Sequence, residues 1–498
     1  MNDRYPTFAK LSRTTALMAV VVAGLLTEVA AQPTLIVPQP DAASAPAASS
    51  GQTPFNLHVV ASEELLNRFV ARSRVEPGEV DDFLFGAKVD GQQWTATQLS
   101  LDLRPAGDRA HAAFILDGHV QSQTTGRTEQ GAVHSIGRQQ FYAVKDVFFD
   151  GAQLSTRHAA VHVRTENQNV GASTPLDGTL FEGLGSRIAL KVAERNRPQT
   201  EEYARNRVVQ RVYPSFDKEV DEQLADANDR LEESLRSPLR KAKLLPSAQL
   251  ARSSDTHLHY AGRFVVGEDQ NLVAPAVPLI GPHGLTMYVH ESLLNGLLDR
   301  LNLQGRKTTD RELRDLVTQL RTAIRGGTDD RDADDRPEPA VKLETEIEFD
   351  ATQPLAVRFV GNRMELELRA TFRPAGQALL PPLAITVPLR LERRPSDEWT
   401  LVYGDIDIRP MNGDEIPSLA KTLIRQAIQS DLPAVSFPAT LTTDDWPADK
   451  PRLKVAELQS ADGWLVVSLD GVEPAVPPSA PQPLALPGVA TPVRARPR

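Results

Sequence analysis

"LTMYVHESLLNGLL" at 285–298 has a double at 57–70, "LHVVASEELLNRFV", and the two align without a gap at an offset of 228 residues. Leu57/Leu285, Glu63/Glu291, Leu65/Leu293, Leu66/Leu294 and Asn67/Asn295 are identical, five of fourteen positions. Each copy reads as a short apolar strand running into an amphipathic helix. In the first, Ser62 stands at the N-cap, with Glu63 and Glu64 in the first turn where the helix dipole favours anions. Leu65, Leu66, Phe69 and Val70 then share one face, as do Leu293, Leu294, Leu297, Leu298 and Leu301 in the second copy. A chain that repeats this segment is expected to hold two units of similar design.

Outward from each copy the periodicity alternates between two and 3.6. Strand-like alternation covers 93–104, 110–124, 131–144 and 152–167, segments far longer than the usual ~5–6 residues and so suited to a curved sheet. Helical spacing follows at 181–196 and 200–239, where Tyr203, Val208, Val212, Phe216, Val220, Leu224, Ala227, Leu231 and Leu235 form one stripe among charges. Pro214 is expected to break or kink this helix, with Ser215 capping the second part. The second half repeats the plan: a helix at 310–324, a polar loop at 326–339, strands at 341–349, 363–373, 383–393 and 399–409, a helix at 416–432 and a closing hairpin at 452–471. The expected class is α+β, two similar units with long curved antiparallel strands packed on amphipathic helices. The first spans 55–265 and the second 266–473.

The ends read differently. Arg4, Lys10 and Arg13 precede the apolar run "TALMAVVVAGLL" (15–26), and "EVAA" (28–31) offers small residues for cleavage after Ala31, the pattern of a secretory signal. Twelve apolar residues fall short of the ~20 a membrane span needs, so no stable span is expected after cleavage; an uncleaved anchor is the alternative. Residues 32–54 read as a Pro/Ala/Ser-rich linker and 474–498 as a Pro-rich tail. The expected location is periplasmic or extracellular. The chain has no cysteine, so an exported fold must rest on its hydrophobic core. The net charge of −10, from 55 basic and 65 acidic residues, argues against nucleic acid as a partner, since that requires a concentrated basic face.

Catalytic and metal patterns do not assemble. His158 and His162 lack the Glu of HExxH, and His257 and His259 share a strand face without identified carboxylate partners. Asp330, Asp332 and Asp334 alternate as in a calcium loop, but Asp335 stands where Gly is needed and Val341 where Glu is needed. "GLGS" (183–186) lacks the third glycine of a dinucleotide site. Neither a catalytic residue nor a cofactor or metal is assigned, and the chain reads as no enzyme. Asn67 and Asn295, at the flank of each apolar face, read as helix-to-sheet hydrogen-bond partners.

With a strand, an "xxSExxLNxxL"-like helix (Ser62–Val70, and His290–Leu298 in the copy) and long antiparallel strands, the chain resembles the tubular lipid-binding superfamily that includes bactericidal/permeability-increasing-like proteins. It is also similar to uncharacterised exported bacterial proteins, which implies no function. The superfamily resemblance implies a sheet wrapped round a long helix and an apolar groove for acyl chains, with Leu65, Leu66, Phe69, Val70, Leu293, Leu294, Leu297 and Leu298 as groove-facing candidates. This chain departs from bactericidal members in having no cysteine and an acidic balance, and its long charged helix at 200–236 has no clear counterpart there. The expected function is binding of a lipid or other apolar small molecule in the cell envelope. The alternative is a structural or assembly protein that meets an envelope protein through the 200–236 helix.

Overall fold

The computed structural model describes residues 52–175, 182–241, 243–265, 274–275, 277–278, 283–309, 312, 345–374, 378–431, 435–441 and 451–472. The signal segment, nearly all of the linker and of the helix expected at 310–324, the acidic loop and the Pro-rich tail lie outside the described residues.

Leu57–Ser62 (β1) and Leu285–His290 (β9) have the same burial pattern, with all but the last residue of each buried. Each runs directly into a helix, Glu63–Val70 (α1) and Glu291–Asp299 (α3). Identical residues do identical work in the two copies. Asn67 Nδ2 donates to Leu101 O at 2.7 Å while its Oδ1 accepts from Leu101 N at 2.8 Å; Asn295 does the same with Val357 at 3.0 and 2.6 Å. Glu63 accepts from Leu103 N at 2.8 Å, and Glu291 from Phe359 N at 2.9 Å. Each helix is thus pinned at i and i+4 to alternate residues of one strand. Matching of this detail shows that the two units share one design for seating the helix on the sheet.

The first unit's sheet contains Arg72–Leu84 (β2), Ala87–Arg104 (β3), Ala110–Thr128 (β4), Gly131–Phe149 (β5) and Ala160–Ser173 (β6), antiparallel in that order. The sequence pattern did not show β2. Its Pro77, Gly78, Asp81 and Asp82 are poor strand residues, but β2 is an edge strand paired only with β3, where proline is tolerated. The sheet contains a close approach that only glycine permits. Phe141 lies over Gly118, its cross-strand partner, with ring atoms 1.9–2.4 Å from where a Cβ would stand. The ring is 4% exposed and cannot swing out without opening the core. Gly118→Ala is expected to cost about 1–3 kcal/mol by overpacking, read as a lower urea midpoint with an unchanged m-value.

A helix of 49 residues, Glu182–Arg230 (α2), packs mainly on β6 and β5 of this sheet. The expected break at Pro214 does not occur: both Pro198 and Pro214 sit inside the continuous helix. Both are exposed, as are Glu194 and Gln210, whose carbonyls lose an amide partner. On that side water supplies the missing hydrogen bond, and the ring meets no packed neighbour. Val212, Phe216, Val220, Leu224 and Ala227 are buried beneath the sheet. Their spacing of mostly four residues advances ~400°, so the stripe drifts ~40° per step. A π-turn at Leu231–Arg236 follows and keeps Leu231 and Leu235 inside. Lys145, 1% exposed on the inner face of β5, locks the helix in place. Its Nζ donates to Asp217 Oδ1 at 2.5 Å and Asp217 O at 3.1 Å, and pairs with Asp221 at 2.9 Å.

The second sheet contains Thr345–Phe349 (β10), Leu355–Val360 (β11), Arg363–Pro374 (β12), Leu383–Arg394 (β13), Glu398–Tyr403 (β14) and Val435–Pro438 (β15), with helix Ser418–Asp431 (α4). Between the units, His257–Arg263 (β8) pairs with β1 and with Ala248–Ser253 (β7) on its other side, while Trp464–Val472 (β17) pairs with β9 and with Arg452–Ala461 (β16). β1 and β9 meet through two reciprocal bonds: Ser62 N donates to Gly284 O at 2.8 Å and His290 N to Asn56 O at 3.0 Å. Since 284 and 56 also differ by 228, the junction has a local two-fold relation. The fold is α+β, and one hydrophobic core runs through the junction from Leu57 to Leu469.

Candidate apolar cleft

The duplicated hairpins fasten to the central strands by related means, and the difference between them makes the candidate site. In the first unit, Ser253 exchanges backbone bonds with Ala106 at 2.9 and 3.0 Å. Its Oγ also donates to Arg104 O at 2.5 Å and accepts from His111 N at 2.9 Å. The corresponding Ser460, offset by 207 as are His257 and Trp464 at the turns, makes one such bond, from its Oγ to Gly361 O at 2.9 Å. Five residues connect β3 to β4, enough to reach and pair with β7. Two residues connect β11 to β12. The first junction is zipped; the second keeps a cleft of about 200 Å³.

Alternation assigns the cleft walls. Met364 pairs with Leu389 and Leu391 with Leu401, so these four share one face of the second sheet. Leu458, Ser460 and Leu465 face them from β16 and β17. Arg363, Arg390 and Glu392 also border the cleft, but alternate to the other side of the strands. Arg363 is paired with Glu365 at 2.9 Å. The walls are therefore Leu and Met, with Ser460 committed to the backbone. The Leu and Met side chains offer burial of hydrocarbon, while Asn362, Gln459, Arg363, Arg390 and Glu392 give the cleft a polar and charged border.

None of the eight candidates from sequence lines this cleft. Leu65, Leu66, Phe69, Val70 and Leu293 are at most 8% exposed within the main core, where the apolar helix faces are consumed in seating α1 and α3. Leu294, Leu297 and Leu298 are half-buried. Leu294 and Leu298 pack, as does Met364, on the cluster of Val357, Phe359 and Leu465 beside the cleft. Met364, Leu389 and Leu391 lie in segments that alternate as strands in the sequence, 363–373 and 383–393, but the space between the walls was not legible there.

Catalytic groupings were tested in the same way. Ser253, His111 and Asp146 come together, with His111 Nε2 3.0 Å from Asp146 Oδ1. The Ser253 hydroxyl is turned to backbone carbonyls, however, so it has no activating base. His158 bonds Asp217 at 3.3 Å, and the His257 and His259 rings are 6.1 Å apart. Among the described residues no three His, Cys, Asp or Glu side chains converge as a metal site. Among them also, no helix is long and apolar enough to cross a membrane.

No protein-family model matches the chain, and no curated protein matches it. A crystal structure of a lipopolysaccharide binding protein is similar over 84% of this chain and 99% of that chain, with 9% identity and a TM-score of 0.35. A likeness of that extent decides neither family nor ligand.

Proposed function

We propose that this is a non-enzymatic exported protein of the cell envelope that binds the hydrocarbon part of a lipid or similar apolar ligand in the second-unit cleft. The observation that supports it is the wall of Met364, Leu389, Leu391, Leu401, Leu458 and Leu465 around unfilled space. Leaving such a wall wet is unfavourable, and an apolar chain relieves it at ~25 cal/mol per Å². The volume is below the ~300–1,000 Å³ of sites that enclose whole small molecules. One chain segment fits, with its head group outside. The signal-like N-terminus is the basis for proposing export.

Native mass spectrometry of the full chain incubated with oleate, followed by organic extraction, tests this reading. A stoichiometric adduct is expected, lost on extraction. Leu391→Trp fills part of the cleft, and displacing about two methylenes at ~0.8 kcal/mol each weakens binding about tenfold. No adduct on the wild type, or equal uptake by Leu391→Trp, would overturn the reading.

A further inference from the structure

The junction between the units carries an array of histidines on one face. By register, His259 stands opposite Val60 and Arg252, and His58 opposite Ala261; His257 follows on the same face. Across the junction, His290 is opposite Trp464 on β17. The His58 and Trp464 rings are 5.6 Å apart, and those of His290 and Trp464 5.1 Å. His58 is 6% exposed, His259 9%, Trp464 and Ser468 0%. His58 Nε2, His259 Nδ1, Trp464 Nε1 and Ser468 Oγ have no hydrogen-bond partner. A proton added to either imidazole would therefore be buried with nothing to receive it.

His290 needs its neutral form for another reason. Its Nδ1 accepts from Ser292 N at 3.3 Å and caps α3, the task Ser62 Oγ performs for α1. A protonated ring cannot accept, and it places positive charge at the positive end of the helix.

We propose that the junction is an acid-sensitive hinge: protonation of His58, His259 and His290 parts β1 from β9 and loosens the cleft wall at Leu465. The groups around them reinforce the effect. His58 faces Arg252 and His259, besides the rings of Phe55 and Trp464; His259 faces Arg252 and His257. The nearby carboxylates are engaged elsewhere: Glu63 with Leu103 N, Glu291 with Phe359 N, and Asp470 with Gly284 N and His283. Burial, then the charges of Arg252 and His259, lowers His58 to about 3. Burial, then Arg252 and His257, lowers His259 to about 3, and burial lowers His290 to about 4. The closed form thus binds fewer protons than the open form below pH 6.5. Its stabilisation is complete above that value and is lost as pH falls toward 4, about tenfold per pH unit for each histidine involved.

Hydrogen exchange of the full chain at pH 7.5, 6 and 5, corrected for intrinsic rates, reads the hinge directly. Amides of 57–62 and 285–290 are expected to lose protection as pH falls. His290→Ser, which copies Ser62, and His58→Phe, which keeps the packing on Trp464, are each expected to flatten that dependence by about tenfold per pH unit. Unchanged protection from pH 7.5 to 5, or the same slope in His290→Ser, would overturn the hinge even if His58→Phe fails to fold. Loosening of the cleft rests on the proposed lipid reading, so oleate adducts are measured at pH 7.5 and 5. Loss at pH 5 alone supports the link, and retention at pH 5 with an open junction overturns it. Absence at both pH values sinks the lipid reading and leaves the hinge to the exchange data.

Discussion

Lys145→Ala lowers the unfolding free energy by about 3–5 kcal/mol, the expected loss when one partner of a buried ion pair is removed. Lys145 Nζ holds Asp217 at 2.5 Å, and the Asp217 side chain is 14% exposed. Truncation leaves that carboxylate with the Ala159 amide and an exposed His158 ring. Lys145→Met alone does no better, because the stranded charge remains. The double substitution Lys145→Met with Asp217→Asn removes that charge and is expected to recover most of the loss. Urea denaturation at pH 7 measures all three, and a loss below about 1 kcal/mol in Lys145→Ala would show the pair to be solvated. Burial works to raise the Asp217 carboxyl. The Lys145 ammonium, the Ala159 amide and His158 outweigh it and hold the group below its ordinary value of 3.8. Its stabilisation is present above pH 3.8 and disappears as pH falls through the lower folded value. The onset lies below that of the junction histidines, which begin to act below pH 6.5, so the two acid effects are told apart by where they start.

Asn67→Leu and Asn295→Leu are each expected to cost about 2–4 kcal/mol. Each asparagine satisfies both backbone groups of one strand residue, Leu101 or Val357. Leucine is similar in size but leaves an N–H and a C=O unpaired at a half-buried site, at ~1–3 kcal/mol per group. Denaturant midpoints with thermal scans measure the loss. The duplicated geometry requires that the two substitutions behave alike; a large effect in one unit with none in the other would show that the bracket serves only one helix. Asn67→Asp is the sharper control. It keeps the acceptor for Leu101 N but sets a carboxylate oxygen against Leu101 O, so a loss at least as large is expected at pH 7, with partial recovery at low pH where the protonated group can donate.

The pinned helices were partly legible. The repeat of Glu63 and Asn67 in Glu291 and Asn295, four residues apart, marked a shared role on one helix face. Their partners were not visible, since Leu101 and Val357 are defined by backbone position rather than residue type. Pro214 shows the opposite failure. Local rules give it a break, but the helix is held from beneath by Lys145, Phe216 and Val220, while the unpaired carbonyl faces water. Tertiary packing outweighed a local cost of ~3 kcal/mol. The β2 strand was missed because edge position, which excuses Pro77, is a property of the sheet and not of the segment.

By itself the sequence determined the α+β class, the two similar units, the strand-to-helix segments and their buried faces. Period, capping and turn chemistry act over a few residues and need no knowledge of neighbours. Only the tertiary structure decided which apolar faces were filled and which kept space. Leu65, on an apolar helix face, is sealed in the core, while Leu391, in a segment legible only as a strand, walls a cleft. Leu65 sits on a helix seated against the central strands, whereas Leu391 sits on a strand facing a hairpin that Ser460 fastens through one side-chain bond. Unfilled volume depends on how distant segments meet, and no local pattern encodes that distance.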